Sequence, residues 1–354
     1  MHRASANPRR SRPIFIHIAA IVLILSTTSS AYNEGGHFYT VSAVLYESRK
    51  NATPAQPDAL VQAFCAQLPD LAMELDAITQ RLRVLKSGSD WQWGLLGRCG
   101  SSVSRHMVVT QFYLHGLTGA PTEKVRLAAA GIVRDIDIAL AGTASVTERM
   151  NLWCARGFAA HLLGDTYAHS RLDKPDEMYP TGAGHGPDGR KPDYMLARAP
   201  HVGNQWTDWV QFARQVLDGK PPGGGPSQIA ALAGQLSVTE RADDYGEKPL
   251  RMRLEDRLRA DWKPYDPEIS RWLEGNDGFQ LTARCQDQID KGPVGAQNGK
   301  GLPLPQSIRP NCSAAWDRYL RLAVKNFPGD VSPDRSCAIR ATAGQLSNKL
   351  EDGQ

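Results

Sequence analysis

Apolar residues recur at helical spacing through most of this chain, and no run alternates as a half-buried strand would. Leu60, Phe64, Leu68, Leu71, Leu75, Ile78 and Leu82 predict a helix over residues 58–86. Val125, Leu127, Ala130, Val133, Ile136 and Leu140 predict an amphipathic helix over 122–140, stopped by Gly142-Thr143. Thr147 and Arg149 open the next helix, whose apolar run from Met150 carries into residues 160–170. A helical run over 38–46 precedes these, and another from Gln205 to Leu217 follows, with its tryptophans placed in the core. Shorter helices are expected at 228–236, 250–262, 267–273 and 314–327. There is no internal repeat. The expected fold class is all-α, a helical bundle. The stretch from Gly219 to Pro226, rich in glycine and proline, reads as a linker or loop. It separates a helical domain, 32–218, from an irregular, disulfide-containing C-terminal extension, 227–354.

The N-terminus changes that picture by adding a destination. Arg3, Arg9, Arg10 and Arg12 precede an apolar stretch at 14–25, and Ser29-Ser30-Ala31 supplies small residues for cleavage. This is the pattern of a signal peptide over residues 1–31, cut after Ala31, with an apolar part short for a membrane span. A retained membrane anchor is the alternative. The expected location is secreted or periplasmic. The formal charge of +4 includes those four arginines, so the processed chain is near neutral. That argues against a broad cationic surface for nucleic acid. The six cysteines, Cys65, Cys99, Cys154, Cys285, Cys312 and Cys337, form no CxxC pair. In an oxidising compartment they permit up to three disulfides, with fifteen pairings open.

Candidate chemistry centres on His161, Asp165 and His169, spaced four apart. On a helix their side chains share one face. Two imidazoles bracketing a carboxylate make a first-row metal ligand set, which zinc suits. A solvated polar stripe is the alternative. Leu162 and Leu163 would face the core, and Gly164 would permit a close helix contact. His37 opens the run over 38–46, five residues beyond Tyr32. After cleavage, Tyr32 would offer its amine and carbonyl as a chelate. His185 lies in a Gly-His-Gly loop, near Asp188 and Asp193. Trp91 and Trp93 either stack on a base, enter a lipid interface or cap the core. No GxSxG, Walker or dinucleotide motif is present.

The spacing from Tyr32 to His37 and the His161-x-x-x-Asp165 helix resemble the superfamily of zinc-dependent phospholipases C and single-strand-specific zinc nucleases. The resemblance covers residues 32–210 loosely and these two stretches closely. It implies three zincs. Asp70, His115, His161 and Asp165 would hold the first; His169, His185 and Asp193 the second; Tyr32, His37 and a shared Asp165 the third. Asp70 is the family's early helical carboxylate, with Asp76 in reserve. His115, beside Phe112-Tyr113, fits the next position better than His106. Asp165 would bridge two zincs, and Asp70 would also orient the nucleophile.

The chain departs from the family in places. Tyr32 stands where Trp is usual. His169 follows Asp165 by four residues rather than about six, and His185 and Asp193 are eight apart. The implied activity is phosphodiester hydrolysis by zinc-activated water, on a phospholipid or another phosphodiester. Near-neutral charge places phospholipase C ahead of nuclease or nucleotidase. Transient membrane-surface contact, no stable nucleic-acid partner and a monomer are expected. The rival class is a non-catalytic exported binding protein with a structural metal.

Overall fold

The computed structural model describes residues 33–49, 57–70, 110–180, 202–218, 227–236, 250, 252–254, 256 and 308–329. The expected signal segment, Trp91 and Trp93 loop, 219–226 linker and helix at 267–273 lie outside the described residues. Seven helices are named in chain order: α1 (Asn33–Arg49), α2 (Pro57–Leu68), α3 (Thr122–Gly142), α4 (Val146–Ala168), α5 (Val202–Asp218), α6 (Gln228–Gly234) and α7 (Cys312–Asn326). Among the described residues there is no strand, only three isolated β-bridges. The all-α class holds for this part of the chain. No helix there is long and apolar enough to cross a membrane.

α4 is the axis of the bundle. From Met150 to Ala168 it is buried at every position except the half-buried Trp153. A helix surrounded on all sides needs small and apolar residues all round, and this one has them. α2, α3, α5 and α7 all pack on it. Its start is set by Ser145, whose side chain accepts from the Glu148 amide at 3.2 Å. Two glycines let neighbours close in. At Gly157 a methyl would collide with the Gln62 carbonyl on α2, and at Gly164 it would meet the Trp209 ring at 2.7 Å.

The α2–α4 seam is also covalent. Cys65 and Cys154 form a disulfide, and Cys312 is disulfide-bonded as well. One basic residue on α4 is buried beside that seam. Arg156 donates to Asp137 at 2.7 and 3.1 Å, to the Gln62 side-chain oxygen at 2.7 Å, and to the Leu217 carbonyl at 2.8 Å. It thereby ties α3, α2 and α5 to α4. Arg156→Met is expected to cost about 3 kcal/mol, because two buried acceptors lose their charged donor. The half-exposed Asp137 should contribute little of that. Urea unfolding checks it, and a midpoint unchanged from wild type would refute the clamp.

α1, α5 and α6 form one flank. The Trp206 indole donates to Thr40 at 3.2 Å. Glu47 on α1 receives the Ser227 hydroxyl at 2.6 Å and the Gln228 amide at 2.7 Å, anchoring the start of α6. On the other flank, α7 buries Cys312, Ala315, Tyr319 and Ala323 in the same core. The described C-terminal helices α6 and α7 pack on the same core.

The predicted spans fit where they can be compared. α3 and α7 match 122–140 and 314–327 within two residues. α2 ends at Leu68, and the chain continues as a π turn over 69–70. The remainder of the predicted 58–86 helix lies outside the described residues.

Candidate metal centre

Three chain segments bring most of the centre together, and each is placed by a local device. α4 carries His161 and Asp165 on one face, and His169 caps its C-terminus, its amide donating to the Asp165 carbonyl at 2.7 Å. The nearby carbonyls are also satisfied. Leu163 receives the Thr166 hydroxyl at 2.8 Å, Thr166 receives Arg126 at 3.5 Å, and Tyr167 receives the Ser170 hydroxyl at 3.2 Å. The chain then runs back through 170–180 and bridges to 118–121, at Thr118–Pro180 and Pro121–Glu177.

The segment it bridges carries His115. A helical turn at 110–113 leads into it, and Gly116 follows at φ +62°. That left-handed conformation suits glycine. Met178 and Leu162 crowd the space a side chain would take, at 3.2 and 3.3 Å. The π turn after α2 supplies Asp70, and α1 supplies His37 from within its first two turns.

All six side chains are fully buried or nearly so: His37, His115, His161, Asp165 and His169 at 0% exposure and Asp70 at 6%. They converge on Asp165. His37 Nε2 lies 3.0 Å from Asp165 Oδ1, while His115 Nδ1 and His161 Nε2 lie 2.9 and 3.0 Å from Oδ2. His169 Nδ1 is 3.8 Å from Oδ2. Asp70 Oδ1 stands 3.8 Å from both His115 Nδ1 and His161 Nε2, which are 3.3 Å apart. Three overlapping groups result, each able to hold a metal ion: His37, His161 and Asp165; Asp70, His115 and His161; and His115, Asp165 and His169.

Backbone carbonyls orient two of the rings. His161 Nδ1 donates to the Ala66 carbonyl at 2.7 Å, and His169 Nδ1 donates to the His115 carbonyl at 2.7 Å. With Nδ1 carrying the hydrogen, Nε2 is the lone-pair nitrogen of a neutral His161. It points at a carboxylate oxygen 3.0 Å away. Two acceptors that close, out of water, need positive charge between them. A proton is the poor choice. Burial pushes His161 down to about 3 despite the pull of Asp165. Asp165 stays ionised for the converse reason. Burial alone would raise its pKa, but the imidazoles packed around it, His169 and His115 among them, hold it well below the usual carboxylate range. A metal ion satisfies both groups.

Of the residues expected from the sequence, His37, Asp70, His115, His161, Asp165 and His169 are brought together. Tyr32, Asp76, His106, His185, Asp188 and Asp193 lie outside the described residues. Among the described residues the three groups share members. His161 belongs with His37 as well as with Asp70 and His115, and His115 also belongs with His169. Spacing along the chain orders ligands but does not say which carboxylate oxygen each one faces.

Sequence reasoning missed the packing that positions the rings. Trp209 stands edge-on to His37, ring centroids 5.6 Å apart, in the space left by Gly164. The close contact expected at Gly164 was the available signal for it. Comparison of the chain with protein-family models, with curated proteins and with solved structures found no match, so the centre stands on its own geometry.

Proposed function

We propose that this protein is an exported, zinc-dependent phosphodiester hydrolase of the phospholipase C type. One observation carries the reading. The two oxygens of Asp165 address different partners, His37 on one side and His115 with His161 on the other. A carboxylate so placed is suited to bridge two ions, as two-metal hydrolytic sites require. The donor set suits zinc. Tetrahedral zinc with bonds of about 2.0–2.2 Å sets its ligand atoms roughly 3.3–3.6 Å apart. Within the group of Asp70, His115 and His161 the spacings are 3.3 Å between the two histidines and 3.8 Å from each to Asp70, while the contacts to Asp165 are shorter, at 2.9–3.0 Å.

In this reading His37, Asp70, His115, His161, Asp165 and His169 hold the metal. Tyr32, His185 and Asp193 would complete a set of about three zincs. Bound zinc supplies Lewis-acid polarisation of a phosphodiester and acidifies a water towards neutral pH. The chain's own groups do the rest. The Ala66 and His115 carbonyls keep His161 and His169 in the ligating tautomer. Asp165 balances the positive charge, and Asp70 orients the attacking water. The near-neutral processed chain favours a phospholipid over nucleic acid as substrate.

The complete burial of five ligands favours a second reading, a structural metal in a non-catalytic exported protein. One experiment addresses both. Protein processed to begin at Tyr32 is analysed for zinc per chain and assayed on phosphatidylcholine vesicles and single-stranded DNA. About three zincs with lipid turnover are expected. DNA cleavage without lipid turnover would replace the substrate. One zinc with neither activity would favour the structural reading, and no zinc after loading would end both.

A further inference from the structure

We infer that Tyr319, on the C-terminal helix α7, is a positioning residue for the metal centre, acting through the turn that carries His115. The inference rests on the metal-binding reading and adds a component from a region without any candidate ligand. The helical turn at 110–113 must stop for His115 to swing inward. Its carbonyls then need partners other than the next helical turn. Leu114 N–H donates to Thr110 at 2.9 Å, and Leu117 N–H turns back to Gln111 at 3.1 Å. Leu117 N–H would have served Tyr113 in a continuing helix. Instead the Tyr319 hydroxyl donates to the Tyr113 carbonyl. A side chain from 206 residues away therefore closes the helix end two residues before the ligand.

Further contacts make α7 a firm support. Phe327 packs on Phe112 and Tyr113, ring centroids 5.3 and 5.0 Å apart. The Tyr319 ring is flanked by Phe158 and stacked on Trp316. The Asn311 amide, at the helix start, donates to Asn151 on α4 at 2.8 Å. A shift of the turn would move two ligands together. His115 contributes its ring to Asp165 and its carbonyl to the His169 ring.

The test uses cobalt(II), whose visible absorption reports ligand geometry. Tyr319→Phe keeps the ring and removes the donor. It is expected to weaken cobalt binding about tenfold and to change the visible spectrum, as loss of an outer-shell support does. Arg156→Met serves as a control for lowered stability and should leave cobalt affinity and spectrum unchanged. Phe327→Leu loosens the same turn from its other side and should shift cobalt binding in the same direction, so it carries the test if Tyr319→Phe does not fold. Wild-type cobalt affinity and spectrum in the folded turn variants would overturn the inference alone. So would an equal change in Arg156→Met. A wild-type protein that takes up no cobalt would overturn the metal reading and this inference with it.

Discussion

Asp165→Asn is expected to lower metal affinity and phosphodiester hydrolysis on the order of a thousandfold while the helical fold persists. Among the described residues, Asp165 is the carboxylate within 3.0 Å of three histidine nitrogens, and it presents both oxygens to them. Asparagine keeps the shape and one acceptor but removes the charge that balances a divalent ion. In the metal-free protein the change removes a buried anion, so circular dichroism should remain helical. Elemental analysis, activity and thermal unfolding on one preparation separate the outcomes. Zinc and activity lost together, with the fold intact, support a catalytic centre. Zinc lost with only an earlier melt makes the metal structural. Zinc fully retained would remove Asp165 from the centre.

Acid is expected to destabilise the metal-free protein well before ordinary carboxylates titrate. Burial holds His161 at about 3 in the folded chain, against 6.5 for an ordinary histidine. The unfolded chain therefore takes up a proton between those values that the folded chain refuses. Stability should be complete above pH 6.5 and fall progressively towards pH 3. The gap corresponds to roughly 5 kcal/mol at its full extent. Asp165, held well below 3.8, acts in the same direction but later. Its share is present above pH 3.8 and is lost only as pH falls through its depressed folded value. Urea midpoints in chelator at pH 7.5, 5.5 and 4.5 test this. Equal midpoints at all three would show that a protonated His161 is accommodated.

Much of this was legible in the sequence because helices repeat. The four-residue spacing of His161, Asp165 and His169 put three candidate ligands on one face; α4 carries the first two and His169 caps its end. Its apolar neighbours Leu162 and Leu163 are fully buried, as their places on the helix suggested. Its aromatic neighbours Phe112 and Tyr113 are what favour His115 over His106 in the sequence. In the structure those rings pack against Phe327 rather than joining the His/Asp cluster.

Other parts were not legible. The role of Arg156 has no local sequence signal, because its partners come from three other helices. The Ala66 and His115 carbonyls carry no side-chain signature at all, yet they set two ring orientations. Tyr319 lies far along the chain from the turn it supports, beyond the reach of any local pattern.

The wide separation of the ligand contacts along the chain bears on how the protein comes to be folded. The His115–Asp165 contact closes 50 residues, His169 to the His115 carbonyl 54, and His161 to the Ala66 carbonyl 95. Loops of that length are slow to close, and none of these contacts forms within a single helix. A growing or partly folded chain thus offers an ion isolated pairs of ligands, while the full coordination shell belongs to late, native-like species. Metal should then act as a lock rather than a nucleus. It should leave the refolding rate nearly unchanged and slow unfolding, so that resistance to proteases outlasts what the equilibrium stability alone would provide.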